Sequence, residues 1–337
     1  MRFVCGGGRQ DFASAVQFRL RIFTVMTPCV LVTGGSGFIG TWVLRELLNR
    51  NVPVVSLDTH RAPERWRRLL ASRADEVIET NASLLDRDQL QTAIEQHGVT
   101  HIIHLAALLT PACQQDPWLG CEVNVLGTTA IFDAARRSGL VHSISYASSY
   151  AVYGPEVVSN PQNFITDQSP NRPPSFYGAF KQAADLIAEQ YWRHFGIASI
   201  AIRPHVVYGP ERDQGLTAGP SLACRAVARG DKYSIGYRGR VGYDYVEDVA
   251  GAFVRAVFEC PRGATIVDLP GEQASTEQFA STIESVFPAA AGLIQISGPE
   301  IPANIPPNPH YITRTFPDWR TTSLAVGIRR TIEFYQV

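Results

Sequence analysis

One stretch limits what this chain can fold into more than any other: Thr33-Gly34-Gly35-Ser36-Gly37-Phe38-Ile39-Gly40. The apolar run Cys29-Val30-Leu31-Val32 precedes it, in the manner of a buried parallel strand. Residues 41–50 follow it with apolar side chains at helical spacing. Strand, glycine turn and helix, in that order, make a phosphate-binding unit. The glycines let the backbone turn tightly and approach a pyrophosphate, and the helix N-terminus faces the phosphates. Gly34, Gly37, Phe38, Ile39 and Gly40 are therefore expected to hold a dinucleotide. The spacing is Gly-x-x-Gly-x-x-Gly rather than the commoner Gly-x-Gly-x-x-Gly.

A second apolar run ends in Asp58, eighteen residues beyond Gly40. A carboxylate there accepts hydrogen bonds from the adenosine ribose hydroxyls and repels a 2′-phosphate, which favours NAD over NADP. Arg61, Arg65, Arg67 and Arg68 follow closely. An arginine so placed can neutralise a 2′-phosphate, but these are read as a solvated helix face.

Strand and helix patterns alternate from Cys29 to about Ile202. Strands are expected at 29–33, 53–58, 76–79, 101–106, 141–147 and 197–202, and helices at 38–50, 62–71, 86–96, 117–138 and 177–195. Such alternation implies right-handed crossovers and a parallel sheet covered on both faces. The fold class expected is α/β, a Rossmann-type doubly wound parallel sheet with a smaller C-terminal α+β substrate lobe. Beyond Pro204 the loops become richer in glycine and proline. Helices are expected there at 219–229, 246–259, 275–286 and 322–335, short strands at 265–269 and 293–297, and an extended linker over 301–309. The division expected is a Rossmann domain over 26–203 and a substrate-binding lobe over 204–337, interleaved with it. Residues 1–25 lack the continuous apolar core of a signal peptide and read as a dispensable extension.

Composition narrows the partners. A net charge of −1 gives no electrostatic footprint for nucleic acid or an anionic membrane. No apolar run reaches the length of a membrane span. The six cysteines form no Cys-x-x-Cys pair, so a reduced, cytoplasmic protein is expected. His101 and His104 fall on opposite faces of a strand, and no metal site is implied.

The chemistry centres on Tyr177 and Lys181. Four residues apart at the start of a helix, they leave the same face. An ammonium beside a phenol favours the phenolate, which is expected to lower a pKa that is about 10 when unperturbed. A phenol so tuned can take a proton from a hydroxyl while a hydride leaves the same carbon.

Together these motifs resemble the extended short-chain dehydrogenase/reductase family, in its NAD-dependent epimerase/dehydratase branch. The resemblance runs from about Cys29 to the C-terminus. It is carried by the glycine turn, His104-Leu105-Ala106-Ala107, Asn124, the segment from Ala147 to Gly154, Tyr177 with Lys181, Arg203-Pro204, Val207 to Pro210, and Asp244 to Ala250. It implies that Ser149 holds the reacting oxygen, that Tyr177 is the acid/base, and that Lys181 binds the nicotinamide ribose. It also implies cofactor contacts from Ser83, Leu84, Leu105, Ala106, Ala107, Asn124 and Pro204, and a homodimer built on the helices near 117–138 and 177–195.

Three departures bear on the substrate. The family's nucleotide-sugar enzymes commonly carry an asparagine shortly before Tyr208-Gly209, where this chain has His205-Val206-Val207. They carry an arginine seven residues before Asp248, where this chain has Val241, with Arg238 and Arg240 nearby. A diphosphate without cationic partners binds poorly, which weakens a UDP-sugar reading and leaves His205 or Arg212 to meet a smaller acid or sugar. Tyr150 and Ala151 follow Ser149 in place of the acidic pair of the dehydratases, which argues against 4,6-dehydration. The resemblance thus implies an NAD-dependent oxidoreductase or epimerase acting at a secondary hydroxyl of a sugar, sugar acid or nucleotide sugar. The alternatives are a net dehydrogenase of a small hydroxy or keto substrate and a non-catalytic NAD-binding protein.

Overall fold

A computed structural model describes residues 27–155, 164–166, 169–259, 262–301 and 305–336. The extension over 1–25 lies outside the described residues. The first half builds the alternation that its patterning demands. Strands β1 (Val30–Thr33), β2 (Val54–Asp58), β3 (Ile78–Asn81), β4 (His101–His104), β5 (Ser143–Ala147) and β6 (Ala198–Arg203) are separated by helices. These are α1 (Phe38–Asn49), α2 (Pro63–Leu70), α3 (Arg87–Gln96), α4 (Thr110–Gln115), α5 (Pro117–Cys121), α6 (Gly127–Ser138) and α7 (Phe176–Phe195). β1 is buried along its whole length, as a central parallel strand covered on both faces must be.

The helix expected over 117–138 is interrupted. A π turn at Glu122–Leu126 separates α5 from α6 and turns the buried Asn124 inward. α4, ahead of it, has too little periodicity in six residues to be read from sequence.

The second half contains β7 (Val206–Tyr208), α8 (Gly219–Ala228), β8 (Tyr233–Ile235), β9 (Arg240–Tyr245), α9 (Val246–Phe258), β10 (Ala264–Asp268), β11 (Glu272–Ser275), α10 (Thr276–Val286), β12 (Ile294–Ile296), α11 (Pro309–Thr315) and α12 (Leu324–Phe334). β10 does not stay with this half. It pairs in parallel with β6 and completes a seven-stranded sheet of order β10-β6-β5-β4-β1-β2-β3. β7, β9 and β11 form a three-stranded sheet, and β8 pairs with β12. Of the expected linker, residues 302–304 lie outside the described residues, and Pro307 bridges to Ile165.

The strand order reverses between β1 and β4, both paired in register through residues 30–33 and 101–104. In an open α/β sheet the crevice at that reversal, beyond the carboxyl ends of the strands, is where ligands bind. Large apolar side chains pack on both faces, and α9 lies against α1, β4 and β5, so chain from both halves covers the sheet. Among the described residues, no helix is long and apolar enough to cross a membrane.

Candidate active site

The glycine turn is held tightly against the end of β4. Gly34 has φ +74°, and a Cβ there would sit 2.8 Å from the Ala106 nitrogen. That cradle fits a pyrophosphate: only a backbone without side chains comes this close to the crevice. Gly40 backs onto the Gly34 carbonyl, and Thr41 donates to the Gly35 and Gly37 carbonyls. Leu105, Ala106 and Ala107 leave β4 across this turn, with the Leu105 N–H bonded to the Thr33 carbonyl.

Asp58 closes the next strand end. Its carboxylate accepts the Ser36 N–H and the His60 N–H, each at 3.1 Å, and lines a cleft with Ser36, His60, Arg61, Glu79 and Asn81. Of the arginines that follow, Arg61, Arg67 and Arg68 are exposed, in keeping with a solvated face, and Arg65 alone is drawn inward, with each of the four beside an acid. Arg61 pairs with Glu79 at 3.0 Å and Arg67 with Glu64. Arg65 donates to the Ser36 carbonyl at 2.7 Å and to Asp213 at 2.9 Å. Arg68 grips both oxygens of Glu211, at 2.8 and 2.6 Å. The acids Glu211 and Asp213 come from the loop after β7, some 140 residues further along the chain, a pairing that helical periodicity carries no trace of.

The remaining expected cofactor residues divide. Asn124 gives both ends of its amide to the Leu108 backbone, at 2.8 and 3.0 Å, and reaches the Cys113 thiol. It therefore acts on the loop after β4. Ser83 caps its own turn through the Leu85 N–H, and Leu84 is buried against Gly127. The Pro204 carbonyl accepts the Tyr150 N–H at 3.5 Å.

At the other end of the crevice, Ser149, Tyr177 and Lys181 converge. Ser149 is extended, at φ −165° and ψ 152°, and caps the turn at Tyr150–Val152. Ser175 caps α7 through the Gly178 N–H, which sets Tyr177 in the first helical turn. A Cβ on Gly178 would fall 2.1 Å from the Ala151 carbonyl oxygen. The missing side chain is what lets α7 press on the Ser149 turn, and the Ser149 hydroxyl meets the Tyr177 phenol. Lys181 is buried and donates to the Ala147 carbonyl at 2.7 Å, with its nitrogen 5.6 Å from the centre of the Tyr177 ring.

The electrostatics correct one expectation. The Tyr177 phenol is pushed up to about 12, not down: burial dominates, the Ser149 hydrogen bond opposes it, and Arg212 opposes it weakly. Lys181 is turned to a backbone carbonyl, and burial lowers its own pKa to about 8, with Asp185 pulling the other way. His104, bonded to Thr33 at 2.7 Å and Thr128 at 3.1 Å, is held neutral by burial, at about 3. His101 packs on Phe258, on the opposite face of the sheet.

Sequence reasoning missed the frame around this site. Asp185 lies one turn beyond Lys181 on α7 and accepts bonds from Tyr146, Ser148 and Arg203, at 3.1, 3.0 and 2.5 Å. The spacing from Lys181 was the available signal. The buried network occupies the Ser148 hydroxyl and leaves that of Ser149 facing Tyr177. Removing one partner of so buried a pair costs about 3–5 kcal/mol. Arg212 bonds the Val207 carbonyl and Thr217 and lies 6.0 Å from the Phe38 ring centre. Burial lowers its pKa to about 10. His205 stacks on Tyr150, ring centres 3.4 Å apart.

Residues 30–267 match the NAD dependent epimerase/dehydratase family. A UDP-glucose 4-epimerase of Mycolicibacterium smegmatis is 28% identical over 320 residues, which are 91% of this chain and 98% of that protein. The crystal structure of a Thermus thermophilus UDP-glucose 4-epimerase in complex with NAD superposes with a TM-score of 0.76 at 26% identity, covering 91% of this chain and 98% of that one. An L-threonine dehydrogenase of Clostridium difficile superposes with a TM-score of 0.77 at 17% identity, covering 92% of this chain and 98% of that one. At that identity the likeness is one of fold.

Proposed function

The chain belongs to the NAD-dependent epimerase/dehydratase family, and on that premise we propose that it is a sugar epimerase with Tyr177 as its acid/base. The observation that carries the reading is the convergence of Ser149, Tyr177 and Lys181 beyond the glycine turn. Gly34 to Gly40 would hold the pyrophosphate of NAD, Asp58 the adenosine ribose, and Lys181 the nicotinamide ribose. When bound, NAD supplies a hydride acceptor and a ring whose positive charge favours the phenolate. Ser149 holds the reacting oxygen of the sugar. Tyr177 takes that oxygen's proton as the carbon is oxidised and returns it when hydride comes back to the other face of the ketone. The buried Lys181 ammonium stays on the helix face that carries Tyr177, fixed by Ala147.

Substrate enters between the sheet and the lobe that residues 204–337 contribute. Arg212 is the cation placed to meet an anionic part of it, since among the described residues it makes no ion pair. UDP-glucose, on which the Mycolicibacterium relative is named, is the first substrate to offer. Trp118, Leu119, Leu126, Phe176 and Leu186 lie exposed on the helices expected to form a homodimer, and that apolar face supports one. The free thiols of Cys29, Cys113, Cys121 and Cys224 support a cytoplasmic location.

The test offers nucleotide sugars, free sugars and sugar acids to the purified protein and follows both epimeric product and NADH. Product without NADH accumulation is expected. NADH rising in step with product would make the enzyme a net dehydrogenase.

A further inference from the structure

The four arginines after Asp58 raise a question that the family leaves open for any one chain. A guanidinium near a ribose 2′-oxygen attracts a 2′-phosphate, so arginines beside Asp58 should blunt its preference for NAD. In this chain each of them has an acid. Arg61 has Glu79, Arg67 has Glu64, Arg65 has Asp213, and Arg68 has Glu211.

Arg65 is the one that matters most. Its Nη1 donates to the carbonyl of Ser36, the residue whose N–H the Asp58 carboxylate holds. Its other terminal nitrogen is tied to Asp213 and, at 3.4 Å, to the Glu211 carbonyl, while Nε stands 3.8 Å from the Glu211 carboxylate. Glu211 is itself fixed in place. It is buried, its backbone sits at φ +72°, and its N–H donates to the Tyr335 hydroxyl at 2.6 Å. A residue other than glycine holds that conformation only when its surroundings demand it. Trp42 adds a bond to the neighbouring Pro210 carbonyl.

We propose that Glu211 and Asp213 are specificity-determining residues that sequester Arg65 from the ribose end of the crevice and thereby keep the cofactor site selective for NAD over NADP. The inference rests on Asp58 marking that ribose end. The two acids lie outside the strand–turn–helix unit that is usually read for cofactor choice, and act on it across the fold.

The experiment measures Kd for NAD and NADP on the full chain by quenching of tryptophan fluorescence, Trp66 being part of the Asp58 cleft. In Glu211→Gln/Asp213→Asn the ratio of Kd for NADP to Kd for NAD should fall about tenfold, one charge-assisted contact to phosphate. Adding Arg65→Met should return the ratio to that of the parent. Should the buried Glu211→Gln change prevent folding, the exposed Asp213→Asn alone should still lower the ratio about threefold. A ratio that stays within twofold in a folded variant, or that falls equally with Arg65 removed, overturns the proposal. Failure of the parent to bind NAD at all would instead refute the cofactor reading beneath it.

Discussion

Around Asp58 the carboxylate is bonded to two backbone N–H groups, and every neighbouring arginine has an acid within 3.0 Å. Around Tyr177 the opposite holds. The cations Lys181 and Arg212 make no ion pair among the described residues, and burial lowers both, to about 8 and about 10. The arginines at one end are each paired with an acid, and the two cations at the other are desolvated and bonded to backbone carbonyls, with Asp185 only partly offsetting the burial of Lys181. A region whose charges are paired responds little to what binds beside it. A desolvated group feels each new charge strongly, because little solvent screens it. On the proposed reading, the Asp58 end is built for holding and the Tyr177 end for changing protonation state.

Variants at the two ends should therefore separate affinity from rate. The largest effect is expected of Tyr177→Phe: turnover should drop about a thousandfold with loss of the acid/base, while the Kd for NAD stays within about twofold. Equal losses in both would break the comparison. Gly178→Ala comes next. Its Cβ would meet the Ala151 carbonyl oxygen at 2.1 Å, so α7 must back away from the Ser149 turn. Misplacement on the order of 1 Å costs about a hundredfold in kcat, again with NAD binding nearly intact. Gly34→Ala should invert the pattern. It forces an alanine to φ +74° and against the Ala106 nitrogen. Affinity for NAD should weaken about tenfold or more, while kcat at saturating NAD changes little. Titration calorimetry with NAD and steady-state rates, measured on the same preparations, check all three.

The two regions were also unequally legible in the sequence. Most of the sheet from β1 to β6 was readable because its strands are short, largely buried runs bounded by turn residues, whereas β3 (Ile78–Asn81) is polar, mostly exposed and two residues beyond the 76–79 expected. In the second half four helices and two strands, β10 and β12, were readable from their patterning, and the other strands were not. β7, β8, β9 and β11 are three to six residues long and mix polar residues with tyrosines (β7, β8, β9) whose burial depends on partners far along the chain. β10 was readable as a strand, but its place beside β6 is a matter of long-range pairing. At the candidate site, the juxtaposition of Tyr177 and Lys181 was visible and the direction of the Tyr177 shift was not. Spacing puts an ammonium on the phenol's helix face. It does not show that the ammonium turns to Ala147 or that burial outweighs it. The acids opposite Arg65 and Arg68 were hidden for the same reason.

The account turns on a catalytic phenol kept neutral by its own surroundings until cofactor arrives. Tyrosine labelled with 13C at the ring carbon bearing the hydroxyl, with Tyr177→Phe to assign the signal, reports that ionisation directly by NMR. Tyr177 should titrate near 12 in the free protein and move down when NAD is added. A phenol that already titrates about 7 to 8 without cofactor, or one that NAD leaves unmoved, would contradict it.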